Sequence, residues 1–531
     1  VWYAGLSWLP GNDRFTYTPM HSKDVHDTKR MLDLIVYIHN IGDKYDNDTP
    51  IFSSTMYPDL NMEPKEIPVV YYDKDNDKIY LFHYTVESNL KVFIADVSEI
   101  DDKKIRWKML FDRDDKVYGF ISTKVDIYAY TANNAPNFKI VKTSLNNPDI
   151  KNAKTVIEEE KEGKIESFVI TNEGLFYNLS KNGVKQELYF LSKDKKEAQQ
   201  IDLPVTAGRL RLTAKGIDYP DLWININGWT TDYTRYRYKA TDNEFIKETL
   251  SSQAEYPEYK NLVVEELMIP SHDGVMVPLS LIYDKNLNMD GNNPVLIRGY
   301  GAYGISSNPF FSPSYLLPTT KGAIFAIAHV RGGGELGEKW YKAGFKTTKP
   351  NTWKDLIACA EYLVKENYTN PGKIAINGGS AGGILIGRAM TERPDLFAAA
   401  IPEVGCMNTV RAEFSPNGPG NIPEFGTVKD SVECMALIEM DSYHNIQDAT
   451  NYPATLVTAG FNDPRVIAWN PAKFAARLMA ANGSNKPVLL WVDFKSGHGI
   501  GDSKSQYFES LADKFSFALW QSGHPEFKSN Y

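Results

Sequence analysis

A serine stands in a glycine-rich turn between a strand-like run and a helical pattern. Residues 374–376 are apolar and strand-like, Gly378-Gly-Ser-Ala-Gly382 follows them, and residues 382–390 have a helical pattern. A G-x-S-x-G turn of this kind holds its serine in a strained conformation with the hydroxyl exposed, and its glycines let strand and helix cross closely. The pattern predicts Ser380 as a nucleophile and the Ala381 amide as an oxyanion donor.

A serine nucleophile needs a histidine base, which in this strand–turn–helix arrangement comes last along the chain. Three histidines follow the serine. His444 lies in a passage from helix to loop, and His524 lies in the polar tail. His498 directly follows the strand predicted at 488–492, where a loop can project an imidazole over the carboxyl edge of a sheet. We therefore predict His498 as the base.

An acid is expected between the serine and the histidine. Asp463 closely follows the strand that ends at Thr458. Asp493 is nearer to His498 in sequence, but it ends the strand that carries the histidine and cannot easily turn back. Asp463 is therefore predicted to fix the tautomer of the histidine and to stabilise its imidazolium.

Composition restricts the kind of protein that carries these residues. Of 531 residues, 42% are hydrophobic and 24% charged, and the net charge is −9. A net negative charge argues against a nucleic-acid-binding surface, and no apolar stretch reaches the roughly 18 residues that span a membrane. Cys359, Cys406 and Cys434 have neither disulfide nor zinc spacing. We expect a monomer without metal or cofactor, cytoplasmic, or periplasmic if a signal peptide has been removed.

The first half of the chain has the pattern of an all-β domain. Up to about residue 252, short aromatic and β-branched runs alternate with turn residues. Runs of this spacing suit β-propeller blades of about 40–50 residues. The sequence therefore predicts a propeller of about five blades over residues 1–255, with a two-sheet sandwich as the alternative. The charge run 158–162 is interpreted as a solvated loop.

From residue 256 to 531, strand and helix patterns alternate after an initial hairpin. Such alternation predicts an α/β domain, doubly wound around a mostly parallel sheet. The motif Gly299-Tyr-Gly-Ala-Tyr-Gly304 matches a dinucleotide fingerprint, but the two prolines that follow exclude the helix that such a turn must open. The predicted hairpin strands are 263–269 and 275–283; the later strands are 295–298, 323–329, 374–376, 398–401, 454–458 and 488–492; the helices are 353–366, 471–481 and 506–520.

Five ordered motifs resemble the prolyl oligopeptidase family of serine peptidases. The motifs are Gly299-Tyr-Gly-Ala-Tyr303, His329-Val-Arg-Gly-Gly-Gly-Glu335, Gly378-Gly-Ser-Ala-Gly-Gly383, Asn462-Asp-Pro-Arg-Val466 and Gly497-His-Gly499. The resemblance implies an α/β-hydrolase domain with an N-terminal β-propeller domain as its lid. In the family the active site lies in the cavity between them, and the lid admits peptides and excludes folded proteins.

The resemblance also implies roles for residues outside the triad. Tyr300 would donate its phenol to the oxyanion hole beside Ala381. Arg465 would bind a substrate carbonyl, Val466 of the same motif would line the substrate pocket, and Tyr303 would form an aromatic wall around the residue before the cut. Loop packing for the tyrosines and a salt bridge for Arg465 are the alternatives.

Three departures from the family pattern affect these expectations. Proline-specific members have a stacking tryptophan before an aromatic-glycine pair, and Phe425-Gly426 places Asn421 there. Glu413 or Glu424 falls where a branch that prefers basic residues has acidic ones, although both also suit structural or surface roles. The β-rich half is shorter than seven blades, so we expect either a fragment without roughly the first two blades or a shorter family member.

The resulting hypothesis is a serine peptidase that hydrolyses short peptides through an acyl-enzyme, with cleavage after proline as one specificity. Two alternatives stay open. The same triad serves a carboxylesterase or acyl-aminoacid hydrolase, because a triad does not read the leaving group. A propeller scaffold with a catalytically dead hydrolase domain is the third reading.

Overall fold

Short strands form five four-stranded antiparallel sheets in the first half of the chain. The computed structural model describes residues 5–499 and 503–528, and each of the five sheets is a meander of consecutive strands. Apolar side chains alternate along many of these strands, as expected when one face of a strand is more deeply buried than the other. The charge run 158–162 lies in a mostly exposed loop, as predicted.

The chain divides into two compact units, residues 1–161 with 414–424, and residues 162–413 with 425–531. The first unit contains three of the five sheets, whose buried side chains include Val70, Phe93 and Ile127. Its strands are β1 (Ser7–Trp8), β2 (Arg14–Tyr17), β3 (Val36–Asn40), β4 (Thr49–Phe52), β5 (Ile67–Asp73), β6 (Lys78–Tyr84), β7 (Val92–Asp96), β8 (Lys108–Phe111), β9 (Val117–Ser122), β10 (Asp126–Thr131), β11 (Lys139–Ser144) and β12 (Lys154–Ile157).

The second unit contains two further sheets of the same kind and one large sheet. The large sheet has the order β21-β22-β24-β23-β25-β26-β27-β28 and is parallel from β24 to β28. The strands are β13 (Lys164–Ile170), β14 (Gly174–Lys181), β15 (Lys185–Ser192), β16 (Gln199–Ile201), β17 (Arg209–Ala214), β18 (Leu222–Asn227), β19 (Thr234–Lys239), β20 (Glu244–Lys247), β21 (Leu262–Pro270), β22 (Met276–Asp284), β23 (Val295–Arg298), β24 (Ile324–Ala328), β25 (Ile374–Gly379), β26 (Ala399–Glu403), β27 (Ala454–Gly460) and β28 (Val488–Asp493).

Helices cover both faces of the large sheet. The helices are α1 (Pro313–Leu316), α2 (Gly337–Lys342), α3 (Pro350–Lys365), α4 (Gly382–Glu392), α5 (Thr409–Ala412), α6 (Ile422–Phe425), α7 (Ser431–Glu439), α8 (Trp469–Ala481) and α9 (Lys504–Gln521). Ile297 and Ile376 belong to the core that includes α3, α4 and α8, whereas Leu296 and Ala375 belong to the core that includes α9. This alternation explains why the strands read as continuous apolar runs.

The predicted hairpin, strands and helices of the second half are all present, with shifted ends. The prediction ended β25 at residue 376, but the strand continues through Asn377, Gly378 and Gly379, which pair with β26. Glycine disfavours strands by propensity, and here the neighbouring strand overrides that preference. Residues 299–312 form no helix, as predicted for the motif that imitates a dinucleotide site.

The cysteines and the helices can be compared with the expectations about disulfides and membrane spans. Cys359, Cys406 and Cys434 are free thiols; the first two are buried and the third is partly exposed. Among the described residues, no helix combines the length and the apolar character that crossing a membrane requires.

Candidate active site

Ser380 lies at the sharp turn between β25 and α4 in a left-handed backbone conformation. Its φ is +57°, a region that costs a residue with a side chain free energy unless its surroundings hold it there. The Ser380 amide donates to the Glu403 carbonyl at 2.8 Å, and the Ser380 carbonyl accepts from the amides of Cys406 and Gly383, both at 2.9 Å. These three bonds hold the turn in the strained conformation that the sequence pattern predicts.

The helix after the turn passes very close to the loop after β26. A Cβ atom placed on Gly383 would lie 2.5 Å from the Gly405 Cα atom, a distance that no side chain tolerates. The neighbouring Cys406 thiol is buried, and burial raises its pKa to about 12. It therefore stays protonated beside Ser380 at neutral pH and does not compete as a thiolate nucleophile.

Asp463 and His498 form a buried pair at the ends of two neighbouring strands. The His498 Nδ1 and Asp463 Oδ2 atoms are 2.6 Å apart, and both side chains are almost fully buried. Asp463 Oδ1 also accepts the backbone amides of Arg465 at 2.8 Å and Val466 at 2.9 Å. With its proton on Nδ1, His498 donates to Asp463 and keeps Nε2 as the basic atom.

Hydrogen bonds join the loop that carries Asp463 to the loop that carries His498. The Phe461 amide donates to the Asp493 carbonyl at 2.8 Å, and the Asn462 amide donates to the Ser496 carbonyl at 3.2 Å. The Asp493 carboxylate accepts from the Lys495 and Ser496 amides and from the Ser496 hydroxyl. Asp493 is thus engaged by its own loop, as expected of a residue that cannot turn back to the histidine.

The other two candidate histidines have different neighbours. His444 Nδ1 lies 3.1 Å from Asp441 Oδ1 in the turn after α7. His524 Nε2 lies 2.8 Å from the carbonyl oxygen of Lys321. Each of these rings has a partner outside the predicted triad, whereas His498 contacts the acid that the sequence pattern selected.

Tyr300 and Tyr303 lie in the loop that follows β23. A Cβ atom on Gly382 would be 3.4 Å from Tyr300 Cδ2, so the Tyr300 ring lies against the first turn of α4. The Tyr300 and Tyr303 ring centroids are 6.4 Å apart, and the Tyr303 ring meets Phe425 edge-on at 5.5 Å. Tyr303 has a φ of +59°. The loop therefore brings two phenol rings and a phenyl ring together beside the serine turn.

Comparisons with known proteins identify the family. The prolyl oligopeptidase family model matches residues 309–525, and the model of its N-terminal β-propeller domain matches residues 1–249. The prolyl endopeptidase of Elizabethkingia meningoseptica is 30% identical over 98% of this chain and 72% of its own length. The chain belongs to the prolyl oligopeptidase family.

Solved structures agree with this assignment to the prolyl oligopeptidase family. A prolyl endopeptidase structure has a TM-score of 0.89 at 25% identity, over 98% of this chain and 75% of that one. Prolyl oligopeptidase B from Galerina marginata, bound to a 35-residue substrate, has a TM-score of 0.86 at 26% identity, over 98% and 72%. The predicted fold class, an α/β hydrolase with an N-terminal β-propeller domain, is confirmed, and the enzyme is a serine-type peptidase.

Glu413 and Asn421 occupy the positions that are predicted to determine specificity. Glu413 accepts the Val428 amide at 3.2 Å, so its carboxylate ties two parts of its own loop. Asn421 lies in the segment 414–424 of the first unit and donates to the Asn417 carbonyl at 3.1 Å. Glu424 is buried in the same segment. Their roles toward substrate, like those of Arg465 and Val466, stay predictions.

A buried lysine beneath the tyrosine loop was not found by sequence reasoning. Lys349 is 1% exposed, and its Nζ donates to the Gly301 carbonyl and, at 3.2 Å, to the Gly344 carbonyl. The ammonium also lies 5.6 Å from the centroid of the Phe425 ring. Nothing in a single sequence separates this lysine from the many solvated ones, because only the fold shows that it is buried.

The His329–Glu335 motif also contacts the tyrosine loop. Arg331 pairs with buried Asp355 and with Asp273, and hydrogen bonding to Arg331 lowers the pKa of Asp273 to about 2. The adjoining Gly332 carbonyl accepts the Gly304 amide at 3.1 Å. The motif therefore holds the tyrosine loop in place.

Metal chemistry has no built site in the described part of the chain. Within residues 5–499 and 503–528, no group of three or more histidine, cysteine, aspartate or glutamate side chains is arranged to hold an ion.

Proposed function

We propose that the enzyme hydrolyses short peptides with Ser380 as nucleophile, His498 as general base and Asp463 as the acid that orients the histidine. The observation that carries the proposal is the 2.6 Å contact between His498 Nδ1 and Asp463 Oδ2, whose other oxygen is fixed by two backbone amides. A carboxylate held in this way favours one imidazole tautomer and stabilises the imidazolium that forms when the base takes a proton.

The reaction follows from these roles. His498 Nε2 takes the proton of the Ser380 hydroxyl as its oxygen attacks the peptide carbonyl, and the Tyr300 phenol and Ala381 amide donate to the resulting oxyanion. The imidazolium then protonates the leaving amine, which departs and leaves an ester on Ser380. Water, deprotonated by the same imidazole, hydrolyses that ester and restores the enzyme. Each oxyanion donor is worth about 3–4 kcal/mol in comparable sites.

Cleavage after proline is the specificity that we propose. The relatives reported above are named prolyl endopeptidases or prolyl oligopeptidase, and the aromatic pair of Tyr303 and Phe425 offers apolar faces to a pyrrolidine ring. Glu413 accepts the Val428 amide through one oxygen, which gives this carboxylate a structural role within its own loop. Asn421 stands where proline-specific members have a stacking tryptophan. In this proposal Tyr303 and Phe425 pack against the proline ring instead.

A panel of N-blocked peptidyl fluorogenic amides ending in proline, alanine, arginine or leucine tests the proposal. The enzyme and a Ser380→Ala variant are compared on each amide, and both are treated with a fluorophosphonate. We expect cleavage of the proline amide and labelling of Ser380 in the native enzyme alone. Preference for arginine or alanine would reject the specificity, and equal activity of Ser380→Ala would reject the triad.

The same experiment separates the alternatives. Rapid turnover of simple esters, without any effect of peptide length, would assign the triad to a carboxylesterase or acyl-aminoacid hydrolase. Absence of both turnover and fluorophosphonate labelling would identify a dead hydrolase domain on a propeller scaffold.

A further inference from the structure

A largely buried ionic cluster lies beside the serine turn and has no part in the proposed chemistry. Its members are Arg298, Asn377, Glu403 and Lys514, called here the buttress cluster. The Glu403 carboxylate accepts from Lys514 Nζ at 2.5 Å and from Asn377 Nδ2 at 2.6 Å. Arg298 donates to Asn377 Oδ1 at 3.0 Å and lies 3.9 Å from the Glu403 carboxylate.

Three of the four members of the buttress cluster stand on elements next to a proposed catalytic group. Arg298 ends β23, directly before the loop of Tyr300, and Asn377 lies on β25, three residues before Ser380. Lys514 lies on α9, the helix that follows His498. The cluster therefore links the strands that precede the oxyanion donor and the nucleophile to the helix that follows the base.

Glu403 connects this cluster directly to the nucleophile. Its backbone carbonyl accepts the Ser380 amide at 2.8 Å, and it pairs with Gly379 across the sheet. Any shift of Glu403 is therefore transmitted to the residue whose backbone is strained. The side chains of Glu403 and Lys514 are only 18% and 10% exposed, so their pairing is weakly screened by water.

Stability alone is a poor explanation for such a pair. Desolvation cancels much of the attraction between buried ions, and apolar replacements of both partners are often neutral or stabilising, whereas removal of one partner leaves a costly buried charge. Burial would raise the pKa of Glu403, but Lys514 and Arg298 outweigh it and hold the pKa below its usual value. Glu403 is therefore ionised, and its charge is matched within the cluster.

We propose that the buttress cluster positions the catalytic groups, with Glu403 and Lys514 acting through the backbone of Ser380. The proposal rests on the proposed function of Ser380. It makes Glu403 and Lys514 positioning residues: they touch no reacting atom, and they fix the distance between the serine turn and the helix that follows the base. A displacement of about 1 Å at such a site can lower turnover about a hundredfold.

The test is the double variant Glu403→Gln with Lys514→Met, which removes both charges and keeps an acceptor for Asn377. We expect a melting temperature near that of the native enzyme, a kcat about tenfold or more lower, an unchanged KM, and an equally slowed reaction of Ser380 with a fluorophosphonate. Lys514→Arg, which retains the ion pair, is expected to restore most of kcat. Glu403→Asp, which retains both charges and shortens the reach of the carboxylate, gives the same kinetic comparison should the double variant fail to fold.

A second ion pair provides the matched control. Lys346 and Glu433 are 2.6 Å apart and partly buried, and they join α7 to a loop without a proposed catalytic residue. Lys346→Met with Glu433→Gln should leave kcat unchanged. A native kcat in the Glu403 and Lys514 double variant, or an equal loss in both double variants, would overturn the positioning role. Full activity of Ser380→Ala would instead refute the proposed function itself.

Discussion

Both oxygens of the Asp463 carboxylate are engaged by neighbouring groups. One oxygen faces His498, and the other accepts the amides of Arg465 and Val466. An asparagine keeps an oxygen for the amides but presents an NH2 group to the imidazole, which then favours the wrong tautomer. We expect Asp463→Asn to lower kcat about 10⁴-fold, as in related triads. Steady-state hydrolysis of the proline amide measures this loss.

Asp493→Asn is the comparison for that prediction. Among residues 5–499 and 503–528, its carboxylate accepts hydrogen bonds from Lys495 and Ser496 of its own loop, so we expect less than a tenfold loss of kcat. A greater loss in Asp493→Asn than in Asp463→Asn would make Asp493 the acid of the triad.

Lys349 offers a second prediction for a single side chain. Lys349→Met leaves the carbonyls of Gly301 and Gly344 without this buried donor, which costs about 1–3 kcal/mol of unfolding free energy. We expect a loosened tyrosine loop and a kcat about tenfold lower, read from steady-state kinetics and thermal melting. Lys339→Met, on an exposed position of α2, is the control. Unchanged kcat in Lys349→Met would show that the loop needs no such support.

Single residues also show what the sequence can reveal. The order serine, acid, histidine led to the prediction of Ser380, Asp463 and His498, because each stands just after a predicted strand. Lys349 and Glu403 were not predicted as site residues, since their positions depend on burial and on strand neighbours far away in sequence. Motif patterns predict the residues that we propose to react, and packing alone reveals those proposed to hold them.

The contact between α4 and the loop after β26 depends on a glycine. Gly383→Ala would place a methyl group 2.5 Å from the Gly405 Cα atom and push the helix away from the serine turn. Overpacking of this kind costs about 1–3 kcal/mol, so we expect a lower melting temperature and a lower kcat together. Gly228→Ala, whose nearest neighbour would be at 3.7 Å, should change neither. A native melting temperature in Gly383→Ala would show that the helix moves freely.

Helices and strands were predictable where their residues follow one periodic pattern. They were less predictable where pairing with a neighbouring strand determines the end of the element. The large sheet and its helices follow from apolar periodicity. The end of β25 was placed too early, since glycines speak against a strand and only the pairing of Gly379 with Glu403 extends it. The partition of the chain into two compact units, with residues 414–424 joined to the first, has no signal in local sequence.

Acid should destabilise the first unit through one buried carboxylate. Burial alone would raise the pKa of Glu66, but nearby His83 and Arg113 outweigh it and lower the pKa to about 2. A depressed pKa contributes stability that is complete above about pH 4.5 and disappears as the pH falls toward 2. His83 adds to acid sensitivity, because burial lowers its pKa and opposes its protonation.

Denaturant unfolding of Glu66→Gln tests this dependence. We expect the variant to unfold more easily than the native protein at pH 7, with the difference shrinking below pH 4.5 and vanishing near pH 2. Glu158→Gln, in an exposed loop, should match the native protein at every pH. A difference that does not vary with pH would mean that the charge of Glu66 does not stabilise the fold.

Residues 414–424 affect how a chimera of two relatives must be designed. They follow α5 in sequence and include Asn421, yet they pack with residues 1–161, where Pro416 and Pro419 line a cavity of about 440 Å³ together with Ile67 and Val69. A chimera that exchanges only the hydrolase half between relatives would import this segment without the side chains that it was selected to fit. Transfer of specificity from one enzyme to another therefore requires that residues 414–424 and the surface of the first sheets that contacts them be exchanged together.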